Sequence, residues 1–138
     1  MDRLFLDANV LFSAAYRPDS GLLRLWELSG VELVTSEYAA EEARVNLEAG
    51  EQRQRLARLL ARTNLVSATP SGALPQILGL PEKDRPILLA AIEARSTHLI
   101  TGDKLHFGKY FGRQFAGVRI LPPGDYLRAL ASAKRRAQ

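Results

Sequence analysis

Asp7 and Asp103 are the residues of this chain best placed to do chemistry, because each follows the apolar run of a predicted strand. In an open parallel sheet the carboxyl ends of the strands gather at one edge, so carboxylates that are distant in sequence can meet there. Close carboxylates repel each other unless a positive group lies between them, and a divalent metal ion commonly fills that role. The two aspartates therefore predict a metal site at the strand ends.

The absence of cysteine narrows the kinds of metal site that the chain can build. Without a thiolate there is no disulfide, no cysteine nucleophile and no cysteine zinc site, so the ligands must be oxygen atoms or the imidazoles of His98 and His106. Carboxylate ligands favour Mg²⁺ or Mn²⁺ over Zn²⁺.

The size and charge of the chain suit one domain with a polyanionic partner. Its 138 residues, 46% of them hydrophobic, are enough for a single core, and the formal net charge is +4. Arg55, Arg58 and Arg62 recur at helical spacing and could meet such a partner, although a solvated helix face is the alternative. The chain enters its first predicted strand without a signal-peptide pattern, and no apolar run approaches a membrane span, so we expect a cytoplasmic protein.

Short apolar strands alternate with helices along the sequence. Strands are predicted at residues 3–7, 31–35, 64–68, 98–101 and 118–121, a loop at 70–81, and helices at 9–16, 21–29, 37–62 with a break near residue 50, 84–95, and from 124 into a basic tail. This alternation predicts an α/β domain with a mostly parallel central sheet.

Two further acids are predicted to lie on helix faces that reach the same edge of the sheet. On the helix that begins at residue 37, Glu42 lies at the flank of a buried alanine face, and Glu41 lies opposite that face. Asp84 heads the apolar stripe of another helix, although an Asp before the Arg85-Pro86 pair is also a good N-cap. One metal site would account for all four acids together.

Asn9 and Thr101 place short polar groups beside the two strand-end acids. Asn9 could hydrogen-bond a carboxylate or a metal-bound water, and it could equally cap its own helix. The Thr101 hydroxyl could orient Asp103. Taken singly, Asp7 could be a satisfied buried acid and Asp103 a helix cap.

Four segments, in order and over nearly the whole chain, resemble the successive motifs of the PIN domain. They are Leu6-Asp7-Ala8-Asn9-Val10-Leu11, Ser36-Glu37-Tyr38 leading to Glu41-Glu42-Ala43-Arg44, Leu80-Pro81-Glu82-Lys83-Asp84-Arg85-Pro86-Ile87-Leu88, and Leu99-Ile100-Thr101-Gly102-Asp103-Lys104-Leu105-His106-Phe107. The ordered series is more specific than any one of the motifs.

The resemblance implies a single PIN domain over residues 1–138, with a three-layer α/β/α fold and metal-dependent cleavage of single-stranded RNA. It implies that Mg²⁺ or Mn²⁺ is held by an acidic quartet of Asp7, Glu42, Asp84 and Asp103. The basic residues expected to contact RNA are Arg55, Arg58, Arg62, Arg85 and Lys104.

The chain is most similar to the VapC-like branch of the family, the toxins of toxin–antitoxin pairs. That similarity implies an antitoxin whose segment fills the acidic site, and a homodimer. Leu11, Phe12 and Trp26 could contribute to a dimer surface, with core packing as the alternative.

One feature departs from the VapC-like pattern. Many of these toxins carry a further acid a few residues after the last motif Asp, and here residues 104–107 provide none. His106 stands in that neighbourhood and could contact the scissile phosphate or a metal-bound water, or it could be a partly packed surface histidine. The missing acid puts a second metal ion in doubt more than the first.

Two other functions remain open from the sequence. A phosphatase that uses Asp7 as its nucleophile would need a second Asp two residues later, where this chain has Asn9. A non-catalytic PIN-like module would bind RNA or a protein and keep its acids for structure. An aspartyl-phosphate would support the first, and an intact acid set without metal affinity would support the second.

Overall fold

A computed structural model describes residues 1–67 and 85–136, with the side chains of Arg85, Arg135 and Arg136 excluded. Within these residues the strands form one six-stranded sheet in the order β3-β2-β1-β4-β6-β5. Neighbouring strands pair in parallel except for the antiparallel β5–β6 pair at one edge. The strands are β1 (Asp2–Leu6), β2 (Val31–Ser36), β3 (Asn64–Val66), β4 (His98–Ile100), β5 (Gln114–Phe115) and β6 (Val118–Leu121).

Helices connect and cover these strands. They are α1 (Ala8–Tyr16), α2 (Glu37–Asn46), α3 (Gly50–Leu60), α4 (Arg85–Glu93), α5 (Lys104–Phe107) and α6 (Pro123–Arg136), with 3₁₀ helices at Gly21–Glu27 and Gly108–Tyr110. No helix in the described parts of the chain is both long and apolar enough to cross a membrane.

The sheet has a hydrophobic core on each face, because side chains alternate between the two faces of a strand. In β1, Leu4 and Leu6 join a core shared with α1, α2, α3 and α6, whereas Phe5 joins the core beneath α4 and α5. Leu11 and Trp26 are buried in the first of these cores, so they belong to the interior and not to a dimer surface. The layers confirm the predicted α/β/α fold with its mostly parallel sheet.

The site residues meet because of the strand order. From β1 the chain first builds outward through β2 and β3, then returns to place β4 on the other side of β1. Crevices at such a switch point, outside the carboxyl ends of the strands, are where open α/β sheets bind ligands. The Asp7 amide donates to the Ile100 carbonyl at 3.0 Å, which fixes the ends of β1 and β4 side by side.

Several element boundaries differ from those predicted. The first strand ends at Leu6 because Asp7 caps α1, and the predicted helix at 21–29 is a 3₁₀ helix that ends at Glu27. The long helical stretch is broken near residue 50, as predicted: the chain turns at the buried Leu47, and Gly50 starts α3. Two-residue β5 was not predicted, and the predicted loop at 70–81 lies outside the described residues.

Candidate active site

A cleft of about 560 Å³ opens where β1 and β4 end, and it is lined by three of the four predicted acids, Asp7, Glu42 and Asp103. Asn9 and His106, predicted as supporting residues, also line it. Asp84 lies outside the described residues, while Ile87, three residues later in the sequence, lines the cleft. The structure therefore brings together five of the predicted site residues at one edge of the sheet.

Asp7 is a buried carboxylate, only 7% exposed, that is held by neighbouring donors. Its Oδ1 accepts from the Ala8 amide at 2.7 Å, and its Oδ2 accepts from Asn9 Nδ2 at 3.0 Å and Thr101 Oγ1 at 2.8 Å. Burial raises the pKa of Asp7, the three hydrogen bonds lower it in part, and the charge of Glu42 raises it again, so the net shift is upward. A cation in the cleft would relieve that electrostatic cost.

Thr101 and Asn9 tie the two strand ends together. The Thr101 hydroxyl donates to Asp7, and its oxygen accepts from the Asp103 amide at 3.2 Å and from Asn9 Nδ2 at 3.2 Å. Asn9 Oδ1 accepts from the Gly102 amide at 2.8 Å. The cap of α1 is Asp7, so the capping alternative for Asn9 is not what the structure has. Both side chains hold the Asp7 carboxylate, and Thr101 contacts Asp103 through its backbone amide.

Asp103 is bound on both carboxylate oxygens by His106. Oδ1 accepts from the His106 amide at 3.1 Å, as an N-cap does, and Oδ2 lies 2.7 Å from His106 Nδ1. Burial raises the pKa of Asp103, but the hydrogen bonds and charge of His106 outweigh it, and the net shift is downward. At neutral pH Asp103 is an anion whose orientation depends on His106.

Glu42 reaches the cleft from α2. The Ser36 hydroxyl caps this helix by accepting from the Ala39 amide at 3.0 Å, and the alanines at 39, 40 and 43 are buried, as the periodicity predicted. Glu41 points away and forms a surface ion pair with Arg44. Glu42 is exposed, takes no part in the Arg44 ion pair, and lines the cleft.

The donor chemistry of this cleft fits a hard divalent cation, because carboxylate oxygens are the ligands that Mg²⁺ and Mn²⁺ prefer. Within residues 1–67 and 85–136, no group of three or more His, Asp or Glu side chains lies close enough together to hold an ion. Completing a coordination shell would therefore need Asp84, or a turn of the Asp103 carboxylate away from His106.

Two of the predicted RNA-binding arginines form hydrogen bonds to backbone carbonyls within the protein. Arg55 Nη1 donates to the Ala15 carbonyl and Arg62 Nη2 to the Trp26 carbonyl, each at 2.7 Å. Arg58 is exposed on α3, Lys104 is exposed on α5, and neither lines the cleft. The side chain of Arg85 lies outside the described residues.

Tyr38 and Phe12 line the cleft, although the sequence prediction did not assign them to the site. Tyr38 precedes Glu42 by four residues, and residues at that spacing share a helix face, so this spacing could have indicated Tyr38 as a site residue. Phe12 follows Ala8 by four residues on α1, and Ala8 also lines the cleft. Tyr38 is 65% exposed at the rim of the cleft.

Sequence comparison and fold comparison give different results for this chain. No protein-family model and no curated protein matches its sequence. Its fold is similar to that of a chain in the crystal structure of VapBC2 from Rickettsia felis bound to a DNA fragment from their promoter. That match has a TM-score of 0.60 and 17% sequence identity, and it covers 87% of this chain and 98% of the other. At this level of identity the similarity is one of fold.

Proposed function

We propose that this protein is a metal-dependent endoribonuclease that cleaves single-stranded RNA. The observation that carries the proposal is the buried Asp7 carboxylate in one cleft with Glu42 and Asp103, at the switch point of the sheet. Asp84 would complete the set of acids. The ion held there would be Mg²⁺ or Mn²⁺.

When bound, the cation supplies a Lewis acid that lowers the pKa of water and offsets the negative charge that builds on the scissile phosphate. Asp7, Glu42 and Asp103 would hold it, while Thr101 and Asn9 keep the Asp7 carboxylate in one orientation. The same acids repel the phosphate backbone when no cation balances them, so substrate binding should also require the ion.

Hydrolysis by water defines the products. The water oxygen bonds to phosphorus, the bond from phosphorus to the 3′ oxygen breaks, and that oxygen takes up a proton. The fragments would carry a 5′-phosphate and a 3′-hydroxyl, and the 2′-hydroxyl would not serve as the nucleophile.

We further propose that the enzyme acts in the cytoplasm as the toxin of a toxin–antitoxin pair. The PIN-like motifs and the likeness of the fold to a chain of VapBC2 support this role. An antitoxin segment, with an arginine among its residues, would fill the acidic cleft, and the toxin would form a homodimer.

The test is cleavage of a panel of single-stranded and structured RNAs with Mg²⁺, with Mn²⁺ and with a chelator. Asp7→Asn, Glu42→Gln and Asp103→Asn should each abolish metal-dependent cleavage, because each removes a ligand charge. Glu41→Gln is the matched control, since Glu41 lies beside Glu42 on α2 but outside the cleft, and this variant should cut like the wild type.

Metal binding provides a second readout that does not depend on finding the right RNA. A ligand that binds only the folded state stabilises it by about 2.7 kcal/mol at a hundredfold excess over Kd. Mn²⁺ should therefore raise the melting temperature of the wild type and of Glu41→Gln, but not that of Asp7→Asn. Retained metal-dependent cutting in Asp7→Asn would refute the assignment of Asp7.

A second candidate function is a non-catalytic module that binds RNA or protein. It is favoured by the engagement of both Asp103 oxygens with His106, and by the lack of a close three-ligand group in the described parts of the chain. A folded wild type that neither binds Mn²⁺ nor cuts any RNA would select this function.

A further inference from the structure

We infer that a groove next to the acidic cleft, at the C-terminal end of α1, binds the RNA strand beyond the scissile phosphate, with Tyr16 stacking on a base and Arg17 contacting a phosphate. The inference rests on the proposed function for the identity of the substrate. It adds a nucleotide-binding subsite that lies outside the acids.

The groove lies next to the cleft on α1, and Phe12 lines both. The groove has a volume of about 330 Å³, and its walls include Tyr16, Arg17 and Asp19. Ala8, Phe12 and Tyr16 are spaced by four residues, so they lie on one face of α1. From Ala8 at the cleft to Tyr16 the helix rises about 12 Å, at 1.5 Å per residue. At the 3.4 Å rise of a stacked strand, that distance would hold about four nucleotides, and fewer if the strand were extended.

The aromatic rings of this face are already arranged for stacking. The centroids of Phe12 and Tyr16 lie 5.4 Å apart, with an angle of 29° between the ring planes. Tyr16 is 49% exposed, so a base can add to this stack from the solvent side. Base stacking on aromatic side chains is how proteins hold single strands without reading their sequence, and a duplex cannot offer an unstacked base.

Side chains of α3 hold the end of α1 in place, so the backbone that carries Tyr16 is fixed. Arg55 donates to the Ala15 carbonyl at 2.7 Å, and Gln52 Nε2 donates to the Tyr16 carbonyl at 3.2 Å. A surface that is fixed before binding loses less entropy when the ligand arrives.

The charged side chains of the groove would orient the RNA strand. Arg17 is exposed and lines the same groove as Tyr16, which gives the groove a cation as well as a stacking ring. Asp19 also lines the groove and would repel a phosphate, so the RNA backbone should run closer to Arg17 than to Asp19.

Kinetics on two substrate lengths test the subsite. Tyr16→Leu keeps an apolar side chain without a flat face, and Tyr16→Phe keeps the ring without the hydroxyl. With an RNA of about 12 nucleotides, Tyr16→Leu should raise KM on the order of tenfold at unchanged kcat, while Tyr16→Phe behaves as the wild type. With an RNA of about two nucleotides, too short to reach Tyr16 from the cleft, the two variants should have equal KM values. Equal melting temperatures for the two variants would exclude a folding defect.

Salt dependence tests the phosphate contact. Binding of a fluorescent RNA of about 12 nucleotides to protein with an intact acidic cleft is followed by anisotropy at several salt concentrations, with Ca²⁺ in place of Mg²⁺ to balance the acids without cleavage. Arg17→Gln should reduce the slope of log K against log salt by about 0.7, the value for one phosphate contact on a single strand. Asp19→Asn should tighten binding.

The outcomes separate this inference from the proposed function. If the wild type cuts RNA and Tyr16→Leu has an unchanged KM on the long substrate, the subsite is refuted and the nuclease stands. If the wild type cuts nothing but binds RNA in a Tyr16-dependent way, the nuclease is refuted and the subsite stands. If Tyr16→Leu changes only self-association, measured by sedimentation, the groove is a surface between protein copies and the inference is overturned.

Discussion

At the scale of single residues, the candidate site is defined by how a buried carboxylate is kept in place. Asp7 accepts three hydrogen bonds, yet burial still raises its pKa above the ordinary value. The Thr101 hydroxyl contributes one of those bonds and also accepts from the Asp103 amide, so one oxygen links the two strand-end acids. Burying the Asp7 carboxylate costs free energy when the cleft is empty, and a cation bound in the cleft would offset that cost.

Replacing Thr101 with Val should therefore raise the pKa of Asp7 further, because a hydrogen bond that favours the charged form is lost. The free energy of unfolding should fall by about 1 to 3 kcal/mol, since Asp7 and Asn9 lose a buried partner. The pKa can be measured by NMR titration of the Asp7 carboxyl and the stability by urea unfolding.

Thr35→Val is the matched control for that change. The Thr35 hydroxyl is also fully buried, but it donates to the Leu6 carbonyl at 2.7 Å and not to a carboxylate. It should lower stability without moving the Asp7 titration. Equal effects of the two variants on the titration would contradict the role given to Thr101.

Asp7→Asn should unfold at the same or a higher urea concentration than the wild type at neutral pH in chelator. An acid whose pKa is raised in the folded state destabilises that state at pH values above its pKa, and the neutral amide removes this cost. A large loss of stability in the variant would indicate that the Asp7 charge is structural.

At the scale of elements, the N-cap and the buried alanine face of α2 determine where Glu42 lies. Ser36 ends β2 and caps α2, which fixes where the helix begins and hence which residues face the sheet. With its buried side occupied by small alanines, the helix packs closely, and Glu42 at the flank reaches the cleft. The position of Glu42 thus depends on a residue six positions earlier.

Ser36→Ala should cost about 1 kcal/mol of stability, because the Ala39 amide loses its side-chain acceptor. The expected readout is a lower urea midpoint with an unchanged m value. The control is Ser36→Asp, which restores an acceptor at the cap and should recover part of the loss. An unchanged midpoint for Ser36→Ala would show that the cap adds nothing to the helix.

At the scale of the whole molecule, the order of the strands in the sheet determines which residues meet and which ionisable side chains are buried. His98 lies in β4 between β1 and β6, where its ring packs edge-on against Tyr126 of α6 at 5.0 Å. Burial lowers the pKa of His98, the charge of Asp2 raises it in part, and that of Arg119 lowers it, for a net downward shift. The folded protein therefore resists protonation at this position.

Stability should fall as the pH drops below about 6.5, the ordinary pKa of histidine, because the unfolded chain then binds a proton that the folded chain does not. The loss should level off once the pH is below the lowered pKa of His98 in the folded state. Urea unfolding of the wild type and of His98→Gln between neutral and mildly acid pH measures the effect. If the variant has the same pH slope as the wild type, another group is responsible.

The alternation of strands and helices, the buried face of α2 and the positions of Asp7 and Asp103 near the ends of strands could all be predicted from the sequence. These features follow from periods of 2 and 3.6 residues and from capping, which act over a few neighbours in the chain. The sequence did not show that Thr101 binds Asp7, that Arg55 and Arg62 donate to backbone carbonyls, or that Phe12 lines the cleft. These contacts bring together residues that are far apart in the chain, so they depend on strand order and side-chain packing and not on local sequence.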